Sequence, residues 1–269
     1  MADQDVLIAD FRRLHESGCF VMPNPWDAGS ARLLAGMGFR ALATTSAGFA
    51  WSAGRPDNSI GLAETLEHLK LIVGAVNLPV NADFQNGYAI APDELAVNVI
   101  RATRAGIAGL SIEDFSGDPA APLLDFDLAV ERIRAARAAL DDAGSRVVLT
   151  ARSEGYVWGR PDLDETIQRL VAYADAGADC LYAPWIDRLD DVADIVAEVS
   201  PKPVNLLIHK PFATVADAAA LGVRRISVGG MLAKTAWRGF LDAAREITEQ
   251  ATFNHLAELP DLNGLLDRP

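Results

Sequence analysis

The chain has 269 residues, half of them apolar and 23% charged, with 24 basic against 37 acidic side chains and a net charge of −13. That composition excludes disorder, collagen and coiled coil as descriptions of the whole. So acidic a surface repels phosphate backbones and anionic lipid, and the densest basic run, 132–137, alternates with apolar residues as one helix face would, so no nucleic-acid or membrane partner is expected.

Cys19 and Cys180 are the two cysteines, too few for a disulfide framework and in no CxxC pair. The N-terminus carries Asp3, Asp5, Asp10, Arg12 and Arg13 without an apolar signal core, and no apolar run reaches the roughly 18 residues of a membrane span. A reducing cytoplasm is the expected location.

In chain order, short apolar runs alternate with amphipathic stretches. The runs 19–23, 41–45, 79–82, 109–113, 147–151, 180–183, 204–208 and 225–228 are nearly continuous in apolar residues, as strands covered on both faces are. Helical spacing occupies 28–37, 62–76, 92–105, 127–142, 163–176, 189–199, 215–221 and 232–250. Asp27, Pro92 and Thr214 open three of these segments, and Gly38, Gly106, Gly144, Gly177 and Gly222 close five. Eight strand–helix units predict an α/β fold, a closed (β/α)8 barrel in one domain over 1–269, with a C-terminal helical extension from about 252. A doubly wound open sheet is the competitor, and no GxGxxG or GxxxxGK[ST] follows any strand to support its nucleotide-binding form.

Chemistry in such barrels sits where strands end. Those junctions read Asn24-Pro-Trp-Asp27, Thr44-Thr-Ser-Ala-Gly-Phe49, Arg55-Pro-Asp57, Asp83-Phe-Gln-Asn-Gly-Tyr88, Glu113-Asp114, Arg152-Ser-Glu154, Asn205, His209-Lys210 and Gly229-Gly230. Asp83, Glu113 and Asp57 offer hard oxygen ligands for Mg2+ or Mn2+, and Arg152 could fork onto a substrate carboxylate. For a single Asp at a junction, a helix cap or salt bridge is the plainer role; Asp83, Glu113 and Arg152 together outweigh it. Gly229-Gly230 reads as a tight turn or a phosphate cradle. His209 lacks a second ligand at metal spacing, Cys19 and Cys180 read as core, and Trp26, Trp51, Trp158 and Trp185 stand near strand ends.

The string of junctions resembles the isocitrate lyase/phosphoenolpyruvate mutase superfamily. The resemblance is carried by Asn24-Pro-Trp-Asp-Ala-Gly-Ser-Ala-Arg32, Thr44-Thr-Ser-Ala-Gly48, Pro79-Val-Asn-Ala-Asp-Phe-Gln-Asn-Gly-Tyr88, Ser111-Ile-Glu-Asp114, Ala151-Arg-Ser-Glu154 and Ala176-Gly-Ala-Asp179, in order over about 20–245. It implies an eighth helix exchanged between subunits of a homodimer or homotetramer, Mg2+ at the barrel mouth, and an α-keto or α-hydroxy acid substrate that passes through an enolate-like species. By the same resemblance Ser46, Ala47 and Gly48 bind the substrate carboxylate or oxyanion, and Asp57 lies on a mobile segment. Asp83 is the principal metal ligand, Glu113 a ligand mostly through water, and Arg152 the substrate clamp, with Asn205 a further substrate contact.

Two departures from that pattern stand out. Gln85 replaces the second acid of the strand-three motif, leaving an amide to orient a metal-bound water. The segment after Glu113, Asp-Phe-Ser-Gly-Asp-Pro-Ala-Ala-Pro122, has neither the Lys-Lys-Cys-Gly-His loop of isocitrate lyases nor the lysine of phosphonopyruvate enzymes. The expected activity is therefore C–C cleavage of a small α-keto dicarboxylate, with an oxaloacetate-like acid favoured. P–C chemistry on a phosphonate, and a non-catalytic keto-acid-binding protein, are the alternatives.

Overall fold

Eight short strands run parallel in one sheet of order β1-β8-β7-β6-β5-β4-β3-β2. They are β1 (Phe20–Met22), β2 (Leu42–Ala43), β3 (Val80–Asp83), β4 (Gly109–Glu113), β5 (Val148–Arg152), β6 (Cys180–Tyr182), β7 (Val204–Leu207) and β8 (Arg225–Ser227). The amide of Ala43 donates to Pro23 O at 3.1 Å and brings the β2 edge to β1. The computed structural model describes residues 3–267, so the chain ends 1–2 and 268–269 lie outside the described residues. The architecture is a (β/α)8 barrel, with each strand within two residues of its expected bounds.

Helices α2 (Ala28–Gly36), α4 (Leu62–Ala75), α5 (Pro92–Thr103), α6 (Phe126–Asp142), α7 (Leu163–Asp175), α8 (Leu189–Val199), α9 (Val215–Ala220) and α10 (Met231–Gln250) follow the eight strands. Their starts carry the anticipated chemistry: Asp27 and Thr214 close capping boxes, and Pro92 sits in the first turn of α5. Gly106 and Gly177 adopt φ of +89° and +105°, a region that a β-carbon disfavours. At Gly177 an added Cβ would also meet the Arg137 side chain at 2.5 Å.

Two helices were not anticipated. The first, α1 (Gln4–Glu16), buries Leu7, Ile8 and Phe11 beneath the barrel, where Phe11, His15 and Phe20 meet edge to face. The second, α3 (Ser46–Ser52), follows β2 directly with Thr45 as its cap. After α10 come a 3-10 turn (Asn254–Leu256) and α11 (Leu262–Leu266), which packs against α2. Glu246, near the end of α10, fixes that turn by accepting from Thr252, Asn254 and His255. In its twenty residues α10 buries only Ala233 and Glu246, leaving Trp237, Phe240, Leu241 and Ile247 exposed. Among the described residues no helix is long and apolar enough to cross a membrane.

Candidate active site

The register of the sheet decides which side chains share the barrel interior. Asp83 pairs with Ser111, Glu113 with Arg152, and Arg152 with Tyr182, so these strand-end residues face one another across adjacent strands. They line a cavity of about 200 Å3 at the C-terminal ends of the strands. Ser46, Ala47, Asp57, Asn205, Gly229 and Gly230 line it too. Gly48 is buried but not on its wall.

Arg152 organises the mouth. Its Nη1 lies 2.9 Å from both Asp83 Oδ1 and Glu113 Oε1, its Nε lies 2.9 Å from Glu154 Oε1, and its guanidinium stacks 4.9 Å from the centroid of Tyr182. Burial opposes the charge on Arg152, but Glu113, Glu154 and Asp83 outweigh it and hold the guanidinium protonated. The carboxylates in turn repel one another. Burial pushes Glu113 well above the usual carboxylate range against the pull of Arg152, with Glu154 and Asp83 adding to the push. The same cause lifts Glu154 to about 7. Desolvation at the cavity wall raises Asp57, and the charge of Asp83 adds to it. Four carboxyl groups thus share the cavity with Arg152, Arg225 and Lys234.

Asp83 also receives the Ser46 amide at 2.9 Å and the Ser46 hydroxyl at 2.7 Å on Oδ2. It therefore braces the first turn of α3, a contact from outside the helix that its own neighbours in sequence give no hint of. The amide of Gly48 is taken by Thr45 Oγ1 at 3.2 Å. Of the three positions expected to receive an oxyanion, Ser46 and Gly48 thus have their amides committed within the chain. Gln85 stands apart: with φ of +48° it lines an adjoining cavity with Asn86, Tyr88, Phe115 and Trp158, where its Nε2 has no hydrogen-bond partner. Its carbonyl accepts from Glu113 N at 2.9 Å and so fixes the end of β4.

The Gly229-Gly230 pair is a tight turn. Asn24 Oδ1 accepts from both Val228 N and Gly229 N at 2.9 Å, and a Cβ at Gly230 would meet Trp51 at 2.8 Å. Cys180 is buried and Cys19 packs against the core, as expected. Of the tryptophans, Trp51, Trp158 and Trp185 line the cavity. Trp185 is 48% exposed, has φ of +69° and stacks on His209 at 4.7 Å. Lys234 reaches the same wall from α10 and lies over Trp51. Sequence reasoning gave no role to Glu154, Tyr182 or Lys234; only the ARSE string around Glu154 offered a signal.

Among the described residues no cluster of three or more His, Cys, Asp or Glu is arranged to hold a metal ion. Asp83 and Glu113 remain a pair of hard oxygen donors, the arrangement Mg2+ uses when water and substrate complete its shell. The oxygen donors on the cavity wall, Asp83 and Glu113 with Asp57 and Glu154 beside them, fit a hard divalent cation.

A parallel barrel with carboxylates and an arginine at its strand ends carries its polar groups where enzymes of this fold carry their chemistry. The phosphoenolpyruvate phosphomutase family profile matches residues 11–248, and the chain belongs to that family, within the isocitrate lyase/phosphoenolpyruvate mutase superfamily of lyases and mutases. A solved structure from Burkholderia cenocepacia J2315, assigned only provisionally as a lyase/mutase, is 47% identical with a TM-score of 0.95, over 99% of this chain and 97% of that one. Oxaloacetate decarboxylase of Pseudomonas aeruginosa is 32% identical over 255 residues, covering 91% of this chain and 86% of that one. Oxaloacetate acetylhydrolase, solved with the product oxalate, is 27% identical with a TM-score of 0.85, over 96% of this chain and 93% of that one.

Proposed function

We propose that the chain is a Mg2+-dependent lyase, with Mn2+ an acceptable substitute, that cleaves a C–C bond of a small α-keto or α-hydroxy dicarboxylate, oxaloacetate-like by preference. The observation that carries this reading is the sharing of one Arg152 nitrogen by Asp83 and Glu113 at 2.9 Å each. Asp83 and Glu113 would hold the ion, whereas Gln85, which lines the adjoining cavity, is left out of its shell. When bound, the ion supplies Lewis-acid polarisation of the keto oxygen.

The chain's own groups do the rest. Arg152 clamps the substrate carboxylate with its fork while Glu154 on Nε fixes the plane of the guanidinium. Ala47, at the start of α3, stabilises the oxyanion, while Ser46 braces Asp83 with its amide and hydroxyl and Gly48 shapes the turn. Asp57, its carboxyl raised, carries the proton to the carbon left by the departing group. Asn205 orients the substrate from the far wall.

The barrel and its C-terminal extension are read as one cytoplasmic unit. Exchange of α10 between subunits of a homodimer or homotetramer is supported by the apolar residues it leaves exposed. The test of the reaction is a panel of α-keto acids and phosphonates assayed for pyruvate or oxalate release with and without Mg2+. Mg2+-dependent release from an oxaloacetate-like acid is expected. Release from phosphonates alone would replace the reading with P–C chemistry.

A further inference from the structure

The barrel interior below the mouth is polar. Barrels of this class usually fill that space with branched apolar side chains. Here Asn81, Ser111, Asn205, Arg225 and Ser227 line the same cavity as Arg152. The register aligns Arg152 with Tyr182, Tyr182 with Asn205, and Asn205 with Arg225. Residues aligned in this way point to the same face of a sheet. Arg225 therefore enters the lumen that Arg152 enters, from the third strand along.

Arg225 is 1% exposed, yet among the described residues it makes no ion pair with a carboxylate. Its Nε donates to Asn205 Oδ1 at 2.8 Å and its Nη2 to Thr150 Oγ1 at 3.1 Å. Its Nη1 meets His15 Nε2 at 3.3 Å. Burial and Arg225 itself push His15 down to about 3, so that ring is neutral, and its Nδ1 is satisfied by Phe11 O at 2.7 Å. Burial likewise keeps the nearby Cys180 thiol and Tyr182 phenol protonated. Every group around the guanidinium is uncharged. A buried cation without a counter-ion is strongly disfavoured, and its own burial lowers its affinity for the proton. Two of its five N–H groups also remain beyond these three contacts.

We infer that Arg225 determines specificity: from the lumen beneath Arg152 it receives the second carboxylate of a dianionic substrate whose first carboxylate lies on Arg152. The identity of that ligand rests on the α-oxyacid reading above; the unpaired buried cation does not. A monocarboxylate that reaches only Arg152 leaves Arg225 uncompensated, whereas a dicarboxylate supplies Arg225 with its counter-ion. The site then selects by charge count as well as by size.

The test is calorimetric titration of the full-length protein with succinate and with butyrate, two non-reacting acids of equal carbon number. Wild type is expected to prefer succinate by roughly 30-fold or more, the factor typical of a desolvated charge pair, and Arg225→Met to lose that preference while binding butyrate within about threefold of wild type. Equal affinity of wild type for the two acids, or an unchanged preference in Arg225→Met, would overturn the inference. Should Arg225→Met not fold, Asn205→Asp decides, because it sets a carboxylate of nearly equal size against Arg225 Nε. That internal counter-ion should abolish the preference, and a preference retained in Asn205→Asp counts against the site. Succinate preference that depends on Arg225, with no turnover of any α-keto acid, would remove the proposed reaction and leave this site standing. Turnover with succinate and butyrate bound alike would remove only this site.

Discussion

The Ser46 hydroxyl donates to Asp83 Oδ2 at 2.7 Å, and the same oxygen accepts the Ser46 amide at 2.9 Å. Two donors on one oxygen fix the carboxylate plane and leave Oδ1 turned toward Arg152 at 2.9 Å. The strand-three carboxylate and the first turn of α3 are therefore one mechanical unit.

Ser46→Ala removes one of those donors. Groups that orient a metal ligand typically contribute 10–100-fold to metal affinity, so Mg2+ should bind roughly tenfold or more weakly in this variant. Asp83→Asn should abolish Mg2+-dependent turnover while the barrel still folds. Mg2+ titration followed by calorimetry, beside circular dichroism of both variants, checks the pair. Unchanged Mg2+ affinity in Asp83→Asn would take Asp83 out of the metal site.

Arg152→Lys replaces a fork by a point charge. The lysine cannot meet Asp83, Glu113 and Glu154 in the same plane, nor present two parallel donors to a carboxylate. Loss of a buried charge-assisted pair costs about 2–5 kcal/mol, so kcat/KM should fall by tens-fold or more. Steady-state kinetics with the best acid from the substrate panel measures it. A fall below about threefold would assign Arg152 to structure alone.

His15 gives a pH signature of folding. Its pKa is depressed from 6.5 in the free side chain to about 3 in the fold, by burial first and Arg225 second. Protons therefore bind the unfolded chain preferentially between those values. The contribution of His15 is complete above pH 6.5 and shrinks as pH falls toward 3. Between pH 7 and 5 it should cost up to about 2 kcal/mol of stability. Raised carboxylates such as Glu154 act in the opposite direction, so the comparison is with His15→Asn, which should lower the baseline but flatten its decline. Urea unfolding of both proteins at pH 7, 6 and 5 reads the difference, and parallel declines would refute it.

The exposed face of α10 is expected to be covered in solution. Trp237 and Phe240 meet edge to face at 5.6 Å on its outer side, with Leu241 and Ile247 near them. Phe240→Arg places a charge in that face and should shift the protein toward monomer by a measurable mass in analytical ultracentrifugation. A wild-type monomer at micromolar concentration would remove the exchange of α10 from the account.

The fold was largely legible because most strands are brief apolar runs and several helix starts and stops have local chemistry: Asp27, Thr214 and Pro92 at starts, Gly106 and Gly177 at stops. Asp83, Glu113 and Arg152 were legible for the same reason, since a strand end is a defined place in a barrel. Other features were hidden because they depend on distant partners. The α3 helix has only seven residues, and its bracing carboxylate lies 37 positions away. The solitude of Arg225 is a property of what surrounds it in space, and no local pattern encodes the lack of a counter-ion. Gln85 was placed by analogy with an acid, whereas its left-handed backbone lets its side chain line the neighbouring cavity. The α1 helix left a faint trace in Leu7, Ile8 and Phe11, set at helical spacing behind the capping Asp3.

Helix α10 begins on the cavity wall with Met231 and Lys234 and carries its aromatic face further along the same rod. Twenty helical residues span about 30 Å, and a helix transmits displacement along its axis with little bending. Whatever grips the outer face therefore holds one end of a lever whose other end lines the cavity. Dilution that loosens the grip would reach Lys234 and Trp51 first, and Michaelis constants would drift with enzyme concentration well before any strand of the barrel came apart.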